Sequence, residues 1–113
     1  NILMNVEERV YISLTRNYLL LLVGELQQLT ADKKQVVIIT DQPTTFGRAK
    51  VYIGEDRGMR IGVIADSRYV LTGEYGEGSM NTCLYSGQRN FVELYKTALS
   101  NEIKLLSMRE ENQ

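Results

Sequence analysis

MRIGVIADSRYVLTGEYGEGS, residues 59–79, is the stretch whose reading decides the fold. Residues 60–65 and 69–75 are rich in valine, isoleucine and tyrosine, and only Asp66, Ser67 and Arg68 separate them. Two strand-forming runs so closely joined read as an antiparallel hairpin. Gly73 sits on the second strand, and GEGS, residues 76–79, follows as a loop.

Upstream of the hairpin, residues 9–15 (RVYISLT) alternate β-branched and aromatic side chains and predict a strand. A helix follows, with Asn17 as its expected cap and Leu19, Leu22, Leu26 and Leu29 at the three- and four-residue spacing of a buried face. Leu20, Leu21 and Val23 broaden that face, so both sides of the helix start are expected to be covered. Lys33 and Lys34 close the connection. Residues 35–41 (QVVIITD) are a continuous β-branched run, the pattern of a strand buried on both faces. Strand, helix and strand make a βαβ unit with a right-handed crossover.

Pro43 ends that strand, and residues 49–54 (AKVYIG) predict a short one. Beyond the hairpin, residues 81–85 are an optional last strand. Val92, Tyr95, Leu99, Ile103 and Leu106 then mark the buried face of a long closing helix, with residues 109–113 as a fraying tail. Residues 1–8 carry Ile2, Leu3 and Val6 at spacing that suits the end of a helix. The predicted order is β-α-β-β-β-β-(β)-α, an α/β domain with a mixed sheet and two main helices. A doubly wound nucleotide fold would place glycines after the first strand, and Thr15-Arg16-Asn17 has none.

At 113 residues the chain fits one domain with a real core. Its longest apolar run, residues 18–23, is far too short to span a bilayer, and no signal peptide is visible. A net charge of -1 with mixed signs offers no basic face for nucleic-acid phosphates. The single cysteine, Cys83, suits a reducing, cytoplasmic setting and reads as a packed thiol. The chain contains no histidine, which removes serine triads, cysteine–histidine pairs and most catalytic zinc sites. No enzymatic activity, cofactor or metal is expected. The first residue is asparagine, which predicts a piece of a longer protein.

Residues 59–73 also fit a known frame. The phospholipase D motif is His-x-Lys, four residues, Asp, six residues, Gly. With Asp66 on its aspartate, Gly73 falls on its glycine, Met59 on its histidine and Ile61 on its lysine. Methionine cannot attack phosphorus as that histidine does, so the alignment implies an inactive relic site. The segments VYISL, KKQVVIIT, IGVIADSRYVLTGEYGEG and FVELYKTALSNEIKLL, in this order, resemble the C-terminal regulatory domain of TrmB-family transcriptional regulators. The resemblance spans residues 7–106. It implies a phospholipase D-like half-domain over residues 9–113, preceded by the end of a linker helix at 1–8. It further implies a homodimer, a small-molecule effector such as a sugar or sugar derivative, and DNA contact only through an N-terminal winged helix absent from this chain.

Candidate ligand-binding residues follow from position and chemistry. Thr15, Arg16, Thr40 and Asp41 stand where two parallel strands end, the edge at which open α/β sheets take ligands. A helix start and a solvated strand end account for them equally well. Asp66 is either a turn residue or a ligand of the relic site, where Arg68 adjoins it. Gly73 either permits close approach or marks a bulge. Glu74 and Glu77 flank the glycine-spaced loop and suit a polyhydroxyl ligand or a divalent ion better than a phosphate. Surplus apolar residues of the first helix, with Tyr11, Tyr18 and Tyr95, are candidates for a dimer surface. Two other readings compete: a structural dimerisation module without ligand, and a hydrolase using Asp41, Asp66 and Glu74.

Overall fold

A computed structural model describes residues 2–55, 57–74 and 83–111. Six strands form one mixed sheet: β1 (Arg9–Ser13), β2 (Gln35–Thr40), β3 (Lys50–Ile53), β4 (Arg60–Ala65), β5 (Tyr69–Glu74) and β6 (Cys83–Ser86). Their spatial order is β3-β2-β1-β4-β5-β6, with β1, β2 and β3 mutually parallel and the β1–β4, β4–β5 and β5–β6 pairs antiparallel. The helices are α1 (Arg16–Leu19), α2 (Val23–Ala31) and α3 (Arg89–Glu111).

Both sheet faces are covered, which explains the unbroken apolar runs of β2 and β4. On one face, Leu19, Leu26, Leu29 and Phe46 pack over Val10, Ile12, Ile38, Ile61 and Val63. On the other, Val92, Leu99 and Leu106 of α3 pack over Val37, Ile39, Ile64 and Val70. All five apolar positions predicted for α3 sit on this second face, as the period required.

Several local expectations change. The first helix is broken by a 3₁₀ turn at Leu20–Leu22, and Leu20 and Leu21 are exposed rather than covered. Only one side of this short element meets the sheet. Ile2–Asn5 is a 3₁₀ turn that buries Leu3, and Val6 is buried just beyond it. α3 continues through Arg109 to Glu111, where a frayed tail was expected. The pairing runs uninterrupted through Gly73, so there is no bulge.

At the end of α2, Lys33 adopts a positive φ, and the N–H groups of Lys33 and Lys34 donate to the carbonyls of Thr30 and Leu29. This is a Schellman closure, here with lysine where glycine is usual.

Candidate functional site

The parallel strands β1 and β2 end beside each other, and Asp41 follows β2 there. Its carboxylate accepts from the Thr15 hydroxyl at 2.7 Å and from the Arg16 N–H at 3.1 Å. Asp41 therefore caps α1 from the neighbouring strand. The expected cap, Asn17, lies inside that helix, and Thr15 makes no capping bond of its own. Partial burial pushes the Asp41 pKa up. The Thr15 hydroxyl and backbone N–H groups of Arg16, Asp41 and Arg57 outweigh it and hold the carboxyl below its ordinary value. Thr15 and Asp41 also line a small concavity with Asn17 and Gln42.

Thr40 is fully buried and its hydroxyl has no hydrogen-bond partner among the described residues. It is therefore out of a ligand's reach. A buried hydroxyl without a partner is destabilising relative to a methyl group of the same shape. Thr40→Val should thus raise stability by about 1 kcal/mol, read as a higher midpoint in urea unfolding at unchanged slope.

A larger feature lies on the α3 face. Between α3 and the sheet lies a cleft of about 740 Å³. Its floor is the start of β4 and the end of β5, including Ile61, Gly62, Thr72, Gly73 and Glu74; Tyr95, Leu99 and Glu102 of α3 form one wall. Gly62 is required here by space. A Cβ at that position would stand 2.0 Å from the Tyr95 hydroxyl, so the ring reaches the strand backbone only because no side chain intervenes.

Arg57 lies across the far end, its guanidinium held by both Glu102 carboxylate oxygens. Gly54 makes room for it, since a Cβ there would meet Nη2 at 2.6 Å. Arg57, Arg60, Glu74 and Glu102 give the cleft two charges of each sign. With Ser13 and Thr72 added, its lining offers hydroxyls and balanced charge rather than a field for an anion.

Asp66 stands elsewhere. It opens the β4–β5 turn, where Asp66 and Ser67 both carry positive φ, as the central residues of a type I′ turn do. Its carboxylate accepts three backbone N–H groups: Glu7 at 2.9 Å, Glu8 at 2.7 Å and Arg9 at 3.0 Å. The Asp66 N–H donates in return to the Arg9 carbonyl at 2.8 Å. Asp66 thus clasps the segment leading into β1. Burial pushes its pKa up, but the three N–H groups and nearby Arg68 prevail and lower it.

The expectation of one site holding Met59, Ile61 and Asp66 is corrected by this geometry. Met59 precedes β4 and Asp66 follows it, so roughly 20 Å of extended chain separates them. Ile61 and Gly73 are register partners at the Met59 end. Two of the aligned positions, Ile61 and Gly73, therefore border the cleft, Met59 lies just before β4, and the aspartate marks the opposite edge.

Of the predicted ligand residues, Glu74 lines the cleft, and Thr15, Arg16 and Asp41 share the same sheet edge. Arg68 stays with Asp66 at the other edge. Glu77, with the rest of residues 76–79, lies outside the described residues. Tyr11, Tyr18 and Tyr95 are partly buried and pack against the two cores.

The sequence reading missed Arg57, Tyr95 and Glu102 as cleft residues. Glu102 had a signal: it falls on the same helical arc as Tyr95, Leu99 and Leu106, where a carboxylate calls for a buried partner. Arg57 had none, because it sits in a charged turn. Among the described residues, no group of three carboxylates or thiols is placed to hold a metal, and no helix is long and apolar enough to cross a membrane. Neither protein-family models nor curated proteins give a match to this chain.

Proposed function

We propose that this chain is the effector-sensing and dimerisation domain of a winged-helix transcriptional regulator of the TrmB type, built on a catalytically inactive phospholipase D-like frame. The observation that carries the reading is the cleft at the start of β4. There Ile61 and Gly73, which align with the lysine and glycine of the phospholipase D frame, are register partners bordering the cleft, and neither supplies a nucleophile. The segment order supports the same reading.

The cleft chemistry favours an uncharged or weakly charged polyhydroxyl ligand, such as a sugar or sugar derivative. Hydroxyls of Tyr95, Ser13 and Thr72 and the balanced charges can exchange hydrogen bonds with such a molecule. α3 forms one wall, so a bound ligand acts on the helix that crosses the whole face. A preference of about 1–3 kcal/mol for one arrangement of α3 suffices for several-fold to hundred-fold regulation.

The ligand-free reading predicts that Met59 and Ile61 fill the cleft. Instead Met59 is half exposed, Ile61 is buried in the opposite core, and the cleft stands open. For the hydrolase reading, Asp66 lies at the opposite sheet edge from Asp41 and Glu74, so its three carboxylates do not converge.

A thermal-shift screen against sugars, polyols and sugar phosphates tests the proposal. Neutral polyhydroxyl compounds should raise the melting temperature, and Gly62→Ala, which drives the Tyr95 hydroxyl into the cleft, should reduce the response at least about tenfold in apparent Kd. No stabilisation of the native chain by any compound would remove the sensing half.

A further inference from the structure

Four cleft residues form one row of register partners across four strands. Ser13 of β1 pairs with Gly62 of β4, Gly62 with Thr72 of β5, and Thr72 with Leu84 of β6. Paired residues point to the same face, so the whole row faces α3, and the Tyr95 hydroxyl stands over Gly62. Three steps between neighbouring strands make the row about 14 Å long. One end is enclosed and the other open. Ser13 and Gly62 are buried and Thr72 is half-buried, whereas Leu84, on the edge strand, is 54% exposed.

The two ends also differ in chemistry. At the enclosed end Ser13 is only 9% exposed, and its hydroxyl lines the cleft with no hydrogen-bond partner among the described residues. The Tyr95 hydroxyl makes no hydrogen bond there either, and the Arg57 Nε–H is buried without a partner. Polar groups held in this way cost free energy until a partner arrives, and an apolar group placed beside them supplies none. The open end reverses the preference. Against Leu84 a hydroxyl gains nothing over water, whereas an apolar group removes surface from it.

We infer that the cleft takes an amphiphilic ligand lengthwise, with a polyhydroxyl head on Ser13, Tyr95 and Thr72 and an apolar substituent lying on Leu84. A glycoside with an aryl or alkyl group has this chemistry; a bare sugar fills only the enclosed part of the row. Ser13 selects the head and Leu84 selects the substituent. This rests on the sensing half of the proposed function and narrows its ligand class.

Isothermal titration calorimetry on the chain of residues 1–113 tests the inference, using the phenyl glycosides of glucose, galactose and mannose, each against its methyl glycoside. A phenyl group laid on Leu84 removes on the order of 60 Å² of apolar surface from water, so the phenyl member of a binding pair should have a Kd about tenfold lower. Leu84→Ser should erase that difference. Ser13→Ala should weaken both members about tenfold while leaving the melting temperature of the free chain no lower, since its hydroxyl has no partner to lose. Methyl and phenyl glycosides that bind equally well, or a phenyl advantage that survives Leu84→Ser, overturn the inference while sensing stands. If no glycoside of either kind binds, the sensing reading falls with it.

Discussion

Asp66→Ala will destabilise the protein by about 3 kcal/mol, or roughly 10–15 °C in melting temperature. Two losses combine. Three backbone N–H groups of residues 7–9 lose their acceptor, worth about 2 kcal/mol at this partly exposed site. Alanine must also hold the positive φ of position 66, which costs about 1 kcal/mol more. Asp66→Gly separates the two, since glycine accepts that φ but offers no carboxylate. It should fall between the native chain and Asp66→Ala. Equal stability of the glycine variant and the native chain would show that the clasp contributes nothing.

The same carboxylate sets an acid limit. Its folded pKa lies below the ordinary aspartate value of 3.8, so the folded state favours the charged form. The stabilisation is complete above that value and is lost as pH falls through the folded pKa. Asp41 acts in the same direction. Stability measured from pH 5 downwards should therefore drop more steeply in the native chain than in Asp66→Gly, which lacks the titrating group.

Glu102→Ala should cost about 2–3 kcal/mol, because it strands a guanidinium whose side chain is only 11% exposed. Arg57→Met should cost less, about 1 kcal/mol, since Glu102 is 32% exposed and can turn to water. A double variant, Arg57→Met with Glu102→Leu, should recover most of the loss, because no buried charge is left without a partner. Urea unfolding of the three variants decides the matter. Equal losses for the two single changes would mean that the pair acts through its mutual attraction rather than through the burial of arginine.

Most strands were legible because they are continuous in sequence. Residues 60–65 and 35–40 are β-branched runs whose burial on both faces leaves little room for another structure. α3 was legible from its period. The short first helix was less so: Leu20 and Leu21 look like core, yet the helix changes to a 3₁₀ turn there and presents them to solvent. The cap was misassigned for a related reason. Asn17 is local, whereas Asp41 reaches the helix start from 25 residues away.

The residue types, the hydrophobic periods and the turn at Asp66 settled by themselves that this chain makes a mixed α/β sheet, and that no imidazole chemistry is available to it. Which side chains share a site was decided only in three dimensions. A strand carries the two ends of one motif to opposite edges of the sheet, so Met59 and Asp66 part company. Sheet pairing and a crossing helix bring Gly62, Tyr95, Arg57 and Glu102 to one cleft, although up to 45 positions separate them. Local sequence sets backbone preference over a few residues; proximity between distant side chains follows from strand order and helix angle, which the whole core determines together.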